Sequence, residues 1–177
     1  TRSTVRAEKL GEVASEFDGI HSIHRAVEVG SVDAVISASR LRPEIIDVIE
    51  ETPEAVSLVF ARPAGDRFDY RPGQFLTLRV PGTPEDGTTW APRCYSLSSA
   101  PALDEHLQVT VKRTAGGYAS NWLCDNAHAG MRMHVLAPSG TFVPKTLDTD
   151  FLLLAGGSGI TPMLAILKSA LSEGTGK

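Results

Sequence analysis

RCYSLSSAP, residues 93–101, joins an aromatic residue and a thiol, both common in strands, to one cation and three serines. A strand that only packs against a core alternates apolar and polar residues more regularly. Side chains two apart share a face, so Arg93 and Tyr95 are predicted on one side and Cys94 and Ser96 on the other. An arginine can clamp a phosphate, a tyrosine ring can stack, and a serine can hydrogen-bond a ring heteroatom. The stretch predicts a strand that holds a flat polar ligand, and the alternative is an exposed edge strand with polar side chains.

The residues around this stretch form several short strand patterns separated by Gly and Pro. Two apolar stretches flank a Glu-Thr-Pro-Glu turn within 44–62, which is typical of a hairpin. Similar patterns follow in GQFLTLRVP (73–81), LQVTVKR (107–113) and MRMHVLAP (131–138). YASNWLCDNA, 118–127, interrupts them as a helix. Together they favour a mainly β fold, a small antiparallel barrel with one helix.

The pattern changes near residue 150. FLLLA, 151–155, is a continuous apolar run of the kind buried on both faces of a parallel sheet. A Gly-rich turn follows, and Thr161-Pro162 predicts a helix with Thr161 as N-cap. The predicted apolar stripe of that helix is Met163, Ile166, Leu167 and Ala170. We interpret this as the first βα unit of an α/β domain that is truncated at Lys177.

Two Gly-rich turns are candidate anion sites. Gly157 and Gly159, with Pro162, give G-x-G-x-x-P before a helix, where glycines let the backbone approach a pyrophosphate. Gly116-Gly117 precede the other helix, whose first turn adds the Ser120 hydroxyl to its free amides. Taken alone, each turn has a simpler interpretation, a tight βα turn for the first and a capped loop for the second.

Composition excludes several classes of protein. A formal charge of −4 gives no basic face for nucleic acid, and no apolar run reaches a membrane span of about 20 residues. The first residues are polar and charged, unlike a signal peptide. Two cysteines make neither a disulfide framework nor a metal site, so a cytoplasmic location is expected. The His21-x-x-His24 pair has no further ligand nearby in sequence, and we predict no metal site.

The order of these motifs resembles the ferredoxin–NADP reductase superfamily. The motifs are P-G-Q-F (72–75), R-x-Y-S (93–96), V-K-R (111–113) with G-G-x-x-S (116–120), and G-x-G-x-T-P (157–162). The resemblance covers about 41–177 and implies a Greek-key flavin-binding barrel over 41–146. Residues 147–177 would begin a truncated NAD(P)-binding domain. Residues 1–40 match nothing and are expected to be an extension that is partly helical or loose.

The resemblance also implies roles for individual residues. Arg93 would contact the flavin pyrophosphate, Tyr95 would pack against the flavin and its ribityl chain, and Ser96 would lie at the N5/O4 edge as the catalytic residue. Cys94 belongs to the same binding motif, although we expect it to be a small buried packing residue. The remaining cofactor-binding residues implied are Val111 and Arg113 by their backbone, Gly116, Gly117, Tyr118, Ala119 and Ser120 around the pyrophosphate, and Gly157, Gly159 and Thr161 for the nicotinamide cofactor. Lys112 is expected to be solvated.

Within the superfamily the chain is similar to reductase components of bacterial ring-hydroxylating oxygenases of the 3-ketosteroid 9α-hydroxylase and phenylacetyl-CoA oxygenase types. This implies FAD, which the G-G-x-x-S cradle favours over FMN, and NADH or NADPH as hydride donor. It also implies an oxygenase partner in steroid or aromatic degradation, with a [2Fe-2S] centre expected only in the missing C-terminal part. This fragment alone would be weakly active or inactive with NAD(P)H. The alternative is a non-catalytic flavin-binding electron-transfer subunit that docks on a partner enzyme.

Overall fold

A computed structural model describes residues 42–62, 68–82 and 89–174. The predicted extension at 1–40 and the His21/His24 pair lie outside these residues. The described strands are β1 (Ile45–Thr52), β2 (Ala55–Phe60), β3 (Phe75–Pro81), β4 (Trp90–Ser96), β5 (Leu107–Lys112) and β6 (Val135–Ser139). Helix α1 (Tyr118–Asn126) lies between β5 and β6, and a 3₁₀ turn (Gly157–Gly159) leads into helix α2 (Ile160–Glu173).

The strands form two antiparallel sheets with the orders β1-β2-β5 and β4-β3-β6. Two isolated antiparallel bridges join these sheets at their edges, Leu97 with Val109 and Glu44 with Arg132. Each bridge is flanked by a backbone hydrogen bond of 2.8 Å, from the amide of Ser98 to Gln108 and from that of Ile45 to Met131. The resulting ring order, β1-β2-β5-β4-β3-β6, is the antiparallel barrel that the strand patterns predicted.

Alternation along the strands explains why the barrel closes. In β3 the residues Leu76, Leu78 and Val80 are fully buried, whereas Arg79 between them is exposed. The same period of two buries alternate residues of β5, whereas in β2 the adjacent Ser57 and Leu58 are both buried, together with Phe60. The core consists of fully buried aliphatic and aromatic side chains, among them Ile45, Leu58, Phe60, Leu107, Val109, Val111 and Val135, with Leu123 contributed by α1. Burial of these apolar side chains on one face selects the strand register.

The segment before α2 differs from the predicted strand. Residues 151–156 have no assigned secondary structure, and Leu152 and Leu154 are 85% and 75% exposed. A strand persists only where a neighbour satisfies its backbone groups, and no strand of the described ranges pairs with this segment. The prediction of a buried strand at 151–155 is therefore wrong for this structure.

Helix α2 forms as predicted, but its start and its buried face differ. It begins at Ile160 with Gly159 as N-cap, because the preceding 3₁₀ turn starts the helical path early. Thr161 is therefore not the N-cap, and its hydroxyl donates to the Ser158 carbonyl at 3.0 Å. The buried residues are Thr161, Ala165, Ile166 and Ser169, so Ile166 alone of the predicted stripe is fully buried. Leu167 is 43% exposed, which places the contact face about one residue away from the apolar stripe.

The ion pair between Lys168 and Asp104 attaches α2 to the barrel. The Lys168 ammonium lies 2.9 Å from Asp104 Oδ2, and each side chain is about one third exposed. Asp104 also accepts the Ala100 amide at 2.6 Å, which fixes its loop. These contacts hold α2 against the loop that follows β4. The predicted domain boundary at residue 147 stays a prediction.

Candidate functional site

A cleft of about 600 Å³ opens between the edges of β4 and β5. This volume is within the roughly 300–1,000 Å³ of typical ligand sites. Three parts of the chain line it, namely β4 with β5, the start of α1, and the turn before α2. The lining residues are Arg93, Cys94, Tyr95, Ser96, Thr110, Lys112, Thr114, Gly116, Gly117, Tyr118, Ala119, Ser120, Ser158 and Thr161.

The cleft exists because β4 and β5 touch at one end only. The bridge between Leu97 and Val109 is antiparallel, and beyond it the two strands separate. The antiparallel direction sets Ser96 near Thr110, and it sets Arg93 toward the end of β5 that leads to α1. Three residues of strand span roughly 10 Å. The cleft therefore has two ends, one at Ser96 and Thr110 and one at Arg93 and the start of α1.

The start of α1, called the anion end below, has the free backbone donors that an anion site requires. The first amides of a helix have no intrahelical partner, and Gly117, the N-cap, makes no side-chain cap bond. Gly116 has a φ of +70°, a conformation that glycine adopts without strain. A Cβ on Gly117 would lie 2.9 Å from Thr114 Cβ and 3.1 Å from Ser120 Oγ, so only glycine fits there without a shift. The amides of Tyr118, Ala119 and Ser120 are thus available to an anion.

Hydrogen bonds hold the loop before α1 in this shape. Ser120 Oγ accepts the Thr114 amide at 3.1 Å, and Gly117 donates its amide to the Thr114 carbonyl at 2.9 Å. Asn121 Nδ2 donates to the Gly117 carbonyl at 2.7 Å. Ser120 was predicted to offer its hydroxyl to the ligand, and in this structure that hydroxyl also closes the loop. The anion end is therefore ordered by the protein's own contacts.

Arg93 and Tyr95 supply the charge and the ring beside this end. Arg93 is exposed, and its guanidinium donates only to the Pro92 carbonyl, at 2.8 Å, among the described residues. It is therefore free to pair with a phosphate. Tyr95 is half-buried, and burial raises the pKa of its phenol, an effect that the nearby Arg93 charge partly opposes. The Tyr95 ring lines the cleft and can stack on a flat ligand.

The structure brings most of the predicted site residues together, and Cys94 is the one on β4 whose surroundings differ from the prediction. Cys94 was expected to be buried, yet its thiol is exposed in the cleft because β4 is an edge strand there. Val111 is a fully buried core residue, and Arg113 pairs with Asp125 at 2.7 Å, which also raises the pKa of Arg113. Neither side chain of these two lines the cleft. Their predicted backbone contacts stay predictions.

The turn before α2 contributes other residues than expected. Ser158 and Thr161 line the cleft, whereas Gly157 and Gly159 are exposed outside its lining. Gly157 has a φ of +57°, a left-handed conformation that glycine adopts without strain in this turn. The predicted contacts of the two glycines with a nicotinamide cofactor stay predictions.

Four lining residues were missed, namely Thr110, Lys112, Thr114 and Ser158. Alternation with the buried Val111 does place Thr110 and Lys112 on one face of β5. Lys112 was expected to be solvated, and it is exposed, with Glu54 at 3.9 Å. The sequence pattern could not show that β4 lies opposite the face of β5 that carries Thr110 and Lys112.

Comparison with known proteins agrees with this geometry. The family profile described as the oxidoreductase FAD-binding domain matches residues 44–143. A curated relative, the ferredoxin reductase component of 3-ketosteroid-9-alpha-monooxygenase from Mycolicibacterium smegmatis, is 66% identical over 149 residues, which are 81% of this chain and 41% of the relative. The stachydrine N-demethylase reductase subunit of Rhizobium meliloti is 39% identical over 127 residues, 70% of this chain and 35% of the relative. The chain thus spans about two fifths of the length of such relatives.

Solved structures show the same fold. Phthalate dioxygenase reductase, described as a modular structure for electron transfer from pyridine nucleotides to [2Fe-2S], matches with a TM-score of 0.60 and 29% identity. The match covers 72% of this chain and 38% of that one. Of the helices described in this chain, none combines the length and the apolar character that crossing a membrane requires.

Proposed function

The chain belongs to the oxidoreductase FAD-binding domain family, and from this premise we propose that the cleft between β4 and β5 binds FAD as the flavin site of an oxygenase reductase. The observation that carries the proposal is the pairing of an unengaged arginine with a helix N-terminus at one end of the cleft. This pair suits a diphosphate, because a guanidinium binds phosphate bidentately and helix amides add donors and positive dipole.

The residues present fit this cofactor along the length of the cleft. Arg93 and the amides after Gly117 would hold the pyrophosphate, and the Tyr95 ring would lie against the flavin. Ser96, at the opposite end of the β4 segment, offers a hydroxyl to the ring edge. When bound, the flavin supplies hydride acceptance and one-electron transfer, while the protein supplies binding and orientation.

Beyond the flavin site, the proposal concerns the whole reductase. The relatives named above are reductases or reductase subunits, and the one with 66% identity is the ferredoxin reductase component of a 3-ketosteroid monooxygenase. We therefore infer that NADH or NADPH reduces the flavin and that electrons pass through a [2Fe-2S] centre to an oxygenase acting on a steroid or aromatic compound. Thr161 and Ser158 line the cleft before α2, and we propose that they contact the hydride donor.

Reconstitution with flavins tests the proposal. The purified protein, stripped of bound cofactor, is titrated with FAD and with FMN while flavin fluorescence is followed. We expect saturable quenching at micromolar FAD and weaker binding of FMN, because FMN lacks the second phosphate that the helix end would hold. Absence of FAD binding at micromolar concentrations, or a preference for FMN, would contradict the proposed site.

A further inference from the structure

A chain of hydroxyl groups runs from the outer surface of the barrel to the cleft. Ser57 Oγ donates to Glu51 Oε1 at 2.7 Å, and it lies 2.7 Å from Thr110 Oγ1. Thr110 Oγ1 is also 3.2 Å from Ser98 Oγ. Ser57 and Ser98 are 0% and 1% exposed, so water does not compete for these contacts. Thr110 alone of the three hydroxyl residues lines the cleft.

The carboxylate at the outer end fixes the direction of every donor in this chain. An ionised carboxylate only accepts, so the single proton of Ser57 points to Glu51. The contact between Ser57 and Thr110 must then use the Thr110 proton. A hydroxyl has one proton and two acceptor sites, and Ser98 can occupy at most one of those sites on Thr110. Thr110 therefore presents an acceptor, and no donor, to the cleft.

The position of Thr110 decides which part of a ligand it meets. The bridge between Leu97 and Val109 sets Thr110 beside Ser96, at the end of the cleft away from the start of α1. Thr114 follows Thr110 by four positions, a span of at most roughly 13 Å in extended chain. With the diphosphate held at the α1 end, the group near Thr110 belongs to the flavin ring. The N–H donor of an oxidised flavin ring is its imide, N3–H.

We propose that Thr110 is a specificity-determining residue whose hydroxyl, oriented by the Glu51–Ser57 contact, accepts a hydrogen bond from the imide N–H of the ring bound in the cleft. This inference rests on the proposed flavin site. It predicts that the site discriminates, through the Thr110 hydroxyl, against a ring whose imide carries no hydrogen.

Two ligands and a set of variants test this inference. The affinities of FAD and of FAD methylated at N3 are measured by fluorescence titration for the wild type, Thr110→Val and Thr110→Ser. We expect Thr110→Val to weaken FAD about five- to tenfold, the value of one net hydrogen bond, and to leave the affinity for the methylated cofactor unchanged. Thr110→Ser should behave as the wild type toward both ligands. Thr77→Val, a matched change outside the cleft lining, should alter neither affinity.

Each outcome of this experiment is decisive. Equal losses for both ligands in Thr110→Val would mean that the residue acts by shape alone, and unchanged affinities would mean that it makes no contact, so either result overturns the inference. Thr110→Ala serves the same comparison if the valine variant does not fold. Failure of the wild type to bind FAD would instead overturn the proposed function, and this inference with it.

Discussion

At the scale of single residues, we propose that the exposed Arg93 contributes most to phosphate binding in the cleft. Its guanidinium has no acidic partner among the described residues and donates only to the neighbouring Pro92 carbonyl. The charge is thus not neutralised before a ligand arrives. Lys112 also lines the cleft, but its ammonium has Glu54 at 3.9 Å. We infer that Arg93 contributes more to phosphate binding than Lys112 does.

Arg93→Ala should weaken FAD binding by at least tenfold, because a hydrogen bond to a charged group is worth about 1.5–3 kcal/mol. Fluorescence titration measures the effect. The matched control is Arg132→Ala, which removes an exposed arginine paired with Glu44 at 3.5 Å, outside the cleft lining. Equal losses in the two variants would show that only the overall charge matters, and our assignment of Arg93 would then be wrong.

The loop before α1 is the element that shapes the anion end. Its glycine N-cap leaves no room for a side chain between Thr114 and Ser120. Because the loop hydrogen bonds converge on Gly117, a shift there moves the first amides of the helix. We therefore expect ligand affinity at the anion end to depend on the close packing of Thr114, Gly117 and Ser120 as well as on the charge of Arg93.

Gly117→Ala should weaken FAD binding while leaving the barrel folded. The added Cβ would lie 2.9 Å from Thr114 Cβ, so the loop must move, although the φ of −81° is suitable for alanine. Gly156→Ala is the control, because its Cβ would meet nothing within 4 Å. Affinity by titration and melting temperature of the cofactor-free protein separate the two effects. Unchanged affinity in Gly117→Ala would show that the helix amides do not contact the cofactor.

Helix α2 depends on its ion pair with the barrel. Lys168→Met should lower the opening free energy of α2 by roughly 0.2–1 kcal/mol, as expected for a partly exposed ion pair. Hydrogen exchange should show faster opening of α2, while the amides of β2 and β5 keep their protection. Lys145→Met, at an exposed lysine outside α2, is the control. Equal exchange rates in the two variants would mean that apolar packing alone holds the helix.

The stability of the barrel as a unit should fall in strong alkali. Tyr70 is buried and donates to Ser99 Oγ at 2.7 Å, and burial raises the pKa of its phenol from 10.0 to about 12. The folded state thus keeps this proton at pH values where the unfolded chain has lost it. Stability from the neutral phenol is complete below about pH 10 and is lost as the pH rises through about 12.

Denaturant unfolding measured between pH 9 and 12 tests this linkage. The wild type should lose about 2–3 kcal/mol more than Tyr70→Phe over this range, from a shift of about two pKa units. Tyr70→Phe removes the titrating group and one hydrogen bond, so it should start less stable and then fall less steeply. Parallel curves for the two proteins would show that Tyr70 does not titrate differently on folding.

Local patterns predicted much of the fold and the chemistry of one end of the site. Apolar residues recur with a period of two in strands and 3.6 in helices, and both patterns can be recognised within a few residues. They predicted the hairpin of β1 and β2, the alternating burial in β3 and the helix after Gly117. The R-x-Y-S motif at 93–96 likewise predicted that one strand carries an arginine and an aromatic ring that line the site. The apolar run at 151–155 was misassigned, because a strand needs a paired neighbour and periodicity does not supply one.

The sequence by itself therefore determined the barrel strands, the two helices and the residue types that can bind a diphosphate, since these follow from interactions between near neighbours. The exposure of Cys94, the inclusion of Thr110 and Lys112 in the cleft, and the donor direction that Glu51 imposes on Thr110 were settled by tertiary structure. These features arise where β4 and β5 meet at a single bridge and then diverge. Such contacts join residues far apart in the chain, and no local pattern encodes the distance or angle at which two strands separate.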